Sequence, residues 1–220
     1  MSFQKLHTIA MQLSTPEVSD ALDYLGVKEI GLQKISPIVQ GVKMFGKAFT
    51  VRYAPNEESG FIKAGSYIDE VSPENVIVVD NNGIPDYTVW GDILTAFAHK
   101  KGIQGTVIHG VCRDVQTIRK LNYPVFSIGT FMMTGKGRGR LQETNGIIHI
   151  QGVEIHPNDF IFGDDNGVIR IPQSMVEEVL QIALQIQTIE EKIVDAILKE
   201  GMSLEAARKT YGYNKFGYKK

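Results

Sequence analysis

The sequence predicts an α/β fold with βαβ crossovers, and three observations support this prediction. Apolar, β-branched runs alternate with short amphipathic segments between residues 75 and 128. Short β-prone pieces separated by glycines follow, and a long aliphatic helix pattern begins near residue 174. Strands that alternate with helices are typical of parallel sheets joined by crossover helices.

The first predicted elements are a helix and two strands. Thr15-Pro16-Glu17 is typical of a helix start, with a hydroxyl at the N-cap and proline in the first turn. Leu25-Gly26 is typical of its end. Residues 46–51 and 76–80 are rich in β-formers, and the second run is continuous, which predicts a strand buried on both faces.

The central region contains the alternation itself. Apolar residues recur at helical spacing between Asp92 and Lys101, and Gly102 follows, so we expect a helix there. Next we expect a strand over residues 106–109, a helix over 114–121 and a strand over 124–128.

The last third predicts β-structure and then one long helix. Short strands are expected near residues 147–150, 159–162 and 168–171. Ser174 and Glu177 have the spacing of a capping box, so they predict the start of a helix that ends at Gly201. Its length and aliphatic content exceed what one small sheet requires, so we expect part of it to pack on another subunit.

Composition limits the function classes. The 220 residues are 43% hydrophobic with a formal net charge of -2, which fits one globular domain over residues 1–220 with a C-terminal helical extension from about 174. The charge balance disfavours a nucleic-acid partner, and no stretch approaches the roughly 20 apolar residues of a membrane span. A single cysteine suits a reducing compartment, so we expect a cytoplasmic protein without membrane or nucleic-acid partners.

One group of residues has the pattern of a catalytic site. Asp92 and the pair Arg113-Asp114 are separated by 20 residues, and each acid opens a helix after a strand. In a βαβ arrangement both carboxylates arrive at the edge where α/β sheets bind ligands. The N–H groups of Ile93 and Leu94 would be unpaired donors for an anion, and Asp114 with Asp92 could hold Mg²⁺. Acids are also common in first helical turns for electrostatic reasons alone, so this alternative stays open.

The same residues carry a family resemblance. Trp90-Gly91-Asp92, residues 102–114 and Pro124-Val125-Phe126 resemble the Asp-x20-Arg-Asp signature of class II pyruvate aldolases of the 4-hydroxy-4-methyl-2-oxoglutarate aldolase and RraA-like family. Further blocks that resemble the family lie at residues 18–22, 46–51 and 153–168. The resemblance implies a swivelling β/β/α core. It also implies homotrimers or homohexamers with active sites at subunit interfaces.

The resemblance assigns three polar roles. Asp114 occupies a position that resembles that of the aspartate that binds the metal directly in the family, where the cofactor is Mg²⁺ or Mn²⁺. Asp92 is similar to the carboxylate that holds water bound to that metal. Arg113 is similar to the residue that contacts the pyruvate moiety.

Further residues complete the implied site. The substrate is expected to lie against Gly91, and the amides of Ile93 and Leu94 resemble the cradle for the pyruvate carboxylate. In the aldolases a glutamate on the C-terminal helix of a neighbouring chain also reaches the site, and Glu190 or Glu191 is the candidate here.

The implied activity is that of a metal-dependent lyase. It would cleave a 4-hydroxy-2-oxo dicarboxylate to pyruvate or decarboxylate oxaloacetate. The alternative is a non-catalytic regulator similar to RraA that binds an RNA-degradation enzyme. The long C-terminal helix with its glutamates favours the lyase. His109 stands where many relatives have an acid, and residues 57–70 match the family poorly, so the substrate stays open.

Two weaker signals have competing interpretations. Lys136, Arg138 and Arg140 alternate with glycines and could bind the distal carboxylate of a dicarboxylate or a phosphate, or they could form a solvated mobile turn. Arg113 could lower the pKa of its neighbour Cys112, although no histidine partner for a nucleophilic thiol is evident.

Overall fold

The computed structural model describes residues 1–28, 30–56 and 65–216, apart from the side chain of Asn214. This part of the chain contains the helices α1 (Phe3–Ala10), α2 (Thr15–Tyr24), α3 (Asp92–Lys101), α4 (Val115–Leu121), α5 (Val176–Glu200) and α6 (Leu204–Tyr211). Its strands are β1 (Gly31–Leu32), β2 (Ser36–Pro37), β3 (Met44–Pro55), β4 (Asn75–Asp80), β5 (Gly105–Cys112), β6 (Val125–Thr130), β7 (Gly139–Thr144), β8 (Ile148–Ile150), β9 (Val153–Ile155), β10 (Phe160–Asp164) and β11 (Gly167–Ile171). Of the described helices, none combines the length and the apolar character needed to cross a bilayer.

A mixed sheet forms the middle layer. Its strand order is β1-β11-β10-β3-β4-β5-β6-β2, and β7 also pairs with β3. Strands β3 to β6 are parallel, with Val79 of β4 opposite Val51 on one side and Ile108 on the other. Helix α3 lies between β4 and β5 in the chain, and α4 lies between β5 and β6. The predicted βαβ crossovers are therefore confirmed.

The two faces of this sheet are covered differently. Phe45, Phe49 and Ile77 belong to the face that packs against helices. Alternate residues, among them Ala48 and Val78, pack against the β8–β9 hairpin instead. The period of two along a strand produces this division. A small sheet, a large sheet and a helical layer result, which confirms the β/β/α architecture.

Helix α2 begins one residue earlier than the sequence predicts. Ser14, not Thr15, is the N-cap, and it forms a capping box with Glu17. The Thr15 N–H and hydroxyl instead donate to the buried carboxylate of Asp164, at 2.8 and 2.7 Å. The predicted N-cap was wrong because Thr15 forms a long-range contact to β10.

Helix α5 begins differently from the prediction and ends as predicted. The predicted capping box of Ser174 is absent from the described contacts, because residues Gln173–Met175 form a 3₁₀ turn and α5 starts at Val176. Gly201 ends α5 in a left-handed conformation, as expected. The first half of α5 packs on α1, α2 and the sheet, and Ile193 and Ala196 in its second half pack on α6.

Candidate active site

Two turns at the carboxyl edge of the parallel strands meet, as the sequence predicts. Asp92 is the first residue of α3, and Arg113-Asp114 follows β5. The backbone N–H of Asp92 donates to Asp114 Oδ2 at 3.0 Å, and Arg113 Nε lies 3.4 Å from the same oxygen. A shared site containing these three residues is therefore present in the described structure.

Gly91 makes this close approach possible. A Cβ atom at this position would lie 2.6 Å from Asp114 Oδ2 and 3.2 Å from Arg113 Nε. Its φ of -152° is extended backbone that any residue can adopt, so the requirement is for space and not for glycine's conformational freedom.

The backbone of Asp114 explains where its carboxylate goes. Asp114 has φ 58° and ψ 42°, in the left-handed region that few non-glycine residues occupy. It precedes α4, but its side chain makes no capping hydrogen bond to that helix. The carboxylate lies instead at the amino end of α3, where the helix dipole favours negative charge.

Buried hydroxyls hold the segment that leads into α3. The Trp90 indole N–H donates to Thr95 Oγ1 at 2.9 Å, and that hydroxyl donates to the Gly91 carbonyl at 2.8 Å. Thr88 Oγ1 lies within 2.8 Å of both the Trp90 and the Val111 carbonyl oxygens. These contacts fix the turn before α3 against the end of β5. Thr88 and Thr95 could not be identified from the sequence, because a lone threonine carries no motif.

The expected pair of free amides is reduced to one. The Ile93 N–H donates to Asp92 Oδ1 at 2.8 Å, so it is already satisfied within the site. Among the described contacts the Leu94 N–H makes no hydrogen bond. An anion at this helix end would therefore meet Leu94 directly, and it would reach Ile93 only by displacing the Asp92 side chain.

A small cleft adjoins this helix end. Its volume is about 140 Å³, well below the 300–1,000 Å³ that is typical of drug-sized ligands. Its lining consists of Tyr53, Thr88, Val89, Trp90, Gly91, Asp92, Ile93, Leu94, Arg113, Thr134, Gly135, Lys136 and Gly139. The size suits a small metabolite. Tyr53, Thr134, Gly135 and Gly139 lie far from the motif in the sequence, so the motif could not have identified them.

Tyr53 lines the cleft, and Tyr67 is buried in the same core cluster. Burial raises the pKa of Tyr53 to about 12, although the Gly65 backbone and the Tyr67 hydroxyl lower it in part. Neither group makes a hydrogen bond of normal geometry to the Tyr53 hydroxyl. Burial also raises the pKa of Tyr67 well above its usual value. Both hydroxyls therefore stay protonated at neutral pH and supply no base.

The C-terminal glutamates do not line this cleft in their own chain. Burial raises the pKa of Glu190, and the neighbouring carboxylates of Asp20 and Glu17 raise it further. Glu190 thus lies beside α2 of its own chain, and Glu191 is exposed. Their contribution to a neighbouring chain's site stays a prediction.

The structure does not support Cys112 or His109 as a catalytic group. Burial raises the pKa of Cys112, whose Sγ lies 3.6 Å from Ser127 Oγ, so the idea that Arg113 activates this thiol is wrong. His109 Nδ1 lies 2.9 Å from Asp80 Oδ1, which makes it a paired structural histidine. Residues 57–64, part of the segment that matches the family poorly, lie outside the described residues.

The donor set fits a hard divalent cation. Asp114 Oδ1 and Asp92 Oδ2 accept no hydrogen bond in the described structure, so two carboxylate oxygens are available. Mg²⁺ needs only one or two carboxylates, with water completing its coordination. The described residues contain no group of three or more His, Cys, Asp or Glu side chains arranged around a metal. A site of carboxylate and water therefore fits better than a cage built entirely from protein ligands.

Comparison with known proteins identifies the family. A family model described as RraA-like (Aldolase/RraA) matches residues 15–170, which include the whole Asp92 and Arg113-Asp114 site. The chain belongs to the RraA-like family. The fold and the site geometry described above are thus those of an RraA-like protein.

Two relatives are similar to this chain in sequence over most of its length. This RraA-like chain is 47% identical over 202 residues to protein DlpA of Legionella pneumophila, covering 91% of this chain and 32% of DlpA. It thus spans about a third of that relative's length. It is 34% identical over 194 residues to a protein of Halalkalibacterium halodurans named "Putative 4-hydroxy-4-methyl-2-oxoglutarate aldolase", covering 88% of this chain and 89% of that protein.

Solved structures share the fold. A crystal structure of a protein from Pseudomonas syringae pv. tomato superposes with a TM-score of 0.86 at 41% identity, over 93% of this chain and 97% of that one. Streptomyces coelicolor RraAS2, described as an unusual member of the RNase ES inhibitor RraA protein family, has a TM-score of 0.78 at 26% identity. That match covers 85% of this chain and 94% of RraAS2.

Proposed function

We propose that this RraA-like protein is a divalent-metal-dependent lyase. Its substrate would be a 4-hydroxy-2-oxo dicarboxylate that is cleaved to pyruvate, or oxaloacetate that is decarboxylated to pyruvate. One observation carries the proposal: the backbone N–H of Asp92 and the Arg113 guanidinium both contact the Asp114 carboxylate, beside a small cleft that Asp92 and Arg113 line. The name of the Halalkalibacterium relative supports the same reaction class.

The residues of the chain account for substrate binding. The substrate carboxylate binds at the amino end of α3, where the Leu94 N–H and the helix dipole favour an anion. Arg113 lies beside the 2-oxo oxygen, where its guanidinium stabilises the negative charge that develops there. A divalent cation held by Asp114, Mg²⁺ or Mn²⁺, supplies Lewis-acid stabilisation of the same charge when bound.

Bond cleavage follows from this arrangement. Asp92 Oδ2 accepts the proton of the substrate 4-hydroxyl, directly or through a water molecule. The C3–C4 bond breaks, its electron pair moves toward the 2-oxo oxygen, and the carbonyl fragment leaves. The resulting enolate takes a proton at C3, from the protonated Asp92 or from water, and becomes pyruvate. Oxaloacetate reaches the same enolate when the C3–C4 bond breaks and carbon dioxide leaves, so both reactions use one site.

A second copy of the chain completes the proposed site. Exposed apolar side chains flank it, with Ile93 78% and Met132 73% exposed in the single chain. Such side chains beside a catalytic cleft favour coverage by another subunit. We therefore propose a homotrimer or homohexamer in which Glu190 or Glu191 of a neighbouring copy reaches the cleft and assists proton transfer.

The second candidate function is regulation without turnover. It is favoured by the similarity to RraAS2, whose description refers to inhibition of an RNase. In that case the protein would bind an RNA-degradation enzyme, and Asp92, Arg113 and Asp114 would be structural. Measurements of turnover and of binding separate the two candidates.

Pyruvate formation tests the lyase. Purified protein is incubated with oxaloacetate or 4-hydroxy-2-oxoglutarate, in Mg²⁺, in Mn²⁺ and in EDTA, and pyruvate is measured. We expect turnover that needs a divalent cation. Asp114→Asn and Arg113→Lys should each lower kcat/KM about 10²- to 10³-fold, since each removes stabilisation of a developing charge. Asp86→Asn and Arg119→Lys, which alter exposed residues of the same types, should change little.

Two results would contradict the lyase. One is absence of turnover by the folded wild-type protein with either metal and either substrate. The other is equal turnover by the wild type and the Asp114 and Arg113 variants. Tight binding to an RNA-degradation enzyme together with the first result would support the regulator.

A further inference from the structure

The chain between β4 and α3 passes beside the carboxyl end of β5, and Thr88 is the centre of this passage. Thr88 forms one parallel bridge with Val111 of β5 and another with Thr134, which also lines the cleft. Its backbone N–H donates to the Met133 carbonyl at 3.0 Å. Thr88 is 3% exposed. It is therefore held between β5 and a second segment of the cleft lining.

The packing on the side of this second segment is close. A Cβ atom on Gly135 would lie 2.4 Å from the Thr88 carbonyl oxygen and 3.3 Å from the carbonyl carbon. These are backbone atoms, which cannot move aside as the end of a flexible side chain can. The backbone of Thr88 thus has a fixed position, and its hydroxyl acts from a fixed place.

The Thr88 hydroxyl has three polar neighbours. It lies 2.8 Å from the Trp90 carbonyl oxygen and 2.7 Å from the Val111 carbonyl oxygen, and it accepts the Trp90 N–H at 3.1 Å. A hydroxyl has a single hydrogen, so it donates to one of these carbonyls at a time. The Trp90 carbonyl also accepts the Arg113 N–H at 3.1 Å. Donation from Thr88 to Val111 therefore leaves both carbonyls with a donor.

These bonds form a closed circuit across the two turns of the site. The circuit runs from the Val111 carbonyl through the Thr88 hydroxyl to the N–H and carbonyl of Trp90, and from there to the Arg113 N–H. The short stretch of chain from Val111 to Arg113 closes it. One turn leads into α3 and the other follows β5. The circuit therefore links the turn that carries Asp92 to the turn that carries the Arg-Asp pair.

The chemistry of the circuit requires a hydroxyl at position 88. The group in the middle has to accept a hydrogen bond from Trp90 and donate one to Val111 at the same time. A methyl group of the same size does neither, and it would leave a buried N–H and a buried carbonyl without this partner. The two turns would then be joined by fewer bonds.

We propose that Thr88 is a positioning residue for the reaction, because its hydroxyl sets the register between Asp92 on one turn and Arg113 and Asp114 on the other. This inference rests on the proposed function for the reaction that the two turns perform. Thr88 acts through the residues that it places and transfers no proton itself. Its loss should lower kcat and leave KM nearly unchanged. The substrate carboxylate binds to α3 alone, whereas stabilisation of the developing charge needs α3 and Arg113 in register.

Substitutions that remove or keep the hydroxyl test this role. Pyruvate formation from oxaloacetate with Mg²⁺ is measured for the wild type, Thr88→Val and Thr88→Ser. Thr88→Val keeps the size of the side chain and removes the hydroxyl, so kcat should fall about 10- to 100-fold. Thr88→Ser keeps the hydroxyl and should restore most of kcat.

Thr50→Val is the matched control for a general loss of stability. Thr50 is a buried residue of β3 whose hydroxyl donates to the Gly146 carbonyl at 2.6 Å, and it does not line the cleft. Both valine variants lose one buried hydrogen bond, so their Tm values should fall by similar amounts, while only Thr88→Val should lose kcat. Equal losses of kcat in the two variants, or no recovery in Thr88→Ser, would overturn the positioning role.

Amide hydrogen exchange keeps this inference separate from the proposed function, because it needs no turnover. The Asp92 and Arg113 amides are both hydrogen-bonded between the two turns. Relative to the amides of β4, they should exchange at least about 10-fold faster in Thr88→Val than in the wild type and should be unaffected in Thr50→Val. If the wild type forms no pyruvate, the lyase fails, and this acceleration still supports the role of Thr88. Unchanged exchange at both amides would overturn that role and leave the lyase intact.

Discussion

At position 91 the site depends on the absence of a side chain. Gly91 lies against the carboxylate that joins Asp92, Arg113 and Asp114. Loss of activity on adding one methyl group here would show that the arrangement of these residues matters, because no charge or hydrogen-bonding group changes.

The prediction concerns Gly91→Ala. The new Cβ would force Asp114 or Arg113 away from its present position, so pyruvate formation should fall at least about 10²-fold, as misplaced catalytic groups typically cost. The fold should survive, because the displaced side chains are partly exposed. Gly129→Ala is the matched control, since a Cβ there would meet only Val111 Cγ1 at 4.0 Å. Circular dichroism spectra show whether both variants are folded. If both are folded and Gly91→Ala and Gly129→Ala lose the same fraction of the rate of pyruvate formation, the steric explanation is contradicted.

At the scale of the element, α2 depends on one buried carboxylate of the sheet. Asp164 is 5% exposed and accepts hydrogen bonds from Thr15 N–H, Thr15 Oγ1 and Asn166 N–H. The start of α2 is thereby attached to β10, which is distant in sequence. The contact replaces the N-cap role that the sequence predicts for Thr15.

We expect Asp164→Ala to destabilise the protein by about 2–3 kcal/mol, because it leaves buried donors without an acceptor. For a chain of this size that corresponds to a fall in Tm of roughly 5–10 °C. Asp165→Ala, which removes only an exposed contact to the Gly41 N–H, should cost much less. Thermal unfolding followed by circular dichroism measures both, and equal shifts in Tm would disprove the role of Asp164.

Carboxylates of α2 and α5 repel each other. Burial raises the pKa of Glu190, with Asp20 and Glu17 adding to the effect, and burial also raises the pKa of Asp20, with Asp23 and Glu17 adding. A carboxyl group with a raised pKa binds its proton more tightly in the folded than in the unfolded state. The ionised form therefore costs stability at neutral pH, and this cost disappears as the pH falls through the raised pKa.

Glu190→Gln should consequently raise Tm at pH 7 by about 1–2 °C, the effect expected for relief of a repulsion of roughly 0.5 kcal/mol. The difference from the wild type should shrink as the pH is lowered toward 4. Glu191→Gln, a change at an exposed neighbour on the same helix, is the control. A Tm difference that grows on acidification would show that Glu190 is stabilised as the carboxylate.

Elements with strong local patterns could be predicted from the sequence. The continuous run of β4 and the helix between Asp92 and Gly102 were confirmed almost to the residue. Helix α1, the short strands β1, β2 and β9, the six-residue strand β7 and helix α6 were not predicted. The two- to three-residue strands are too short for a period to show, and their pairing is set by tertiary contacts.

The same distinction applies to the site. Asp92, Arg113 and Asp114 could be found because each lies next to a strand-to-helix boundary that the sequence marks. Lys136 could be noticed but not assigned, because its position depends on how Gly135 and Gly139 pack against Thr88 and Tyr87. Such packing brings together residues that are about 50 apart in the chain, and no local pattern records it.

At the scale of the whole molecule, the question is whether one chain holds a complete site. The cleft lacks Glu190 and Glu191 within its own chain, and Leu198 further along α5 is 77% exposed. A closed ring of copies would let α5 of each chain serve the cleft of its neighbour. Each complete site would then need Asp114 from one chain and a glutamate from another.

Mixing of inactive subunits tests this arrangement. Asp114→Asn and the double variant Glu190→Gln/Glu191→Gln should each be nearly inactive alone. After co-expression or subunit exchange in equal amounts, a site is complete only where a chain with intact Asp114 meets a neighbour with intact glutamates. Random assembly of rings makes about a quarter of the sites complete, so roughly a quarter of the wild-type rate should return. Two copies of the Asp114→Asn variant carrying different tags give the matched control and should recover nothing. If the double glutamate variant is fully active, or the mixture stays inactive although mixed rings form, the glutamates do not act across the subunit interface.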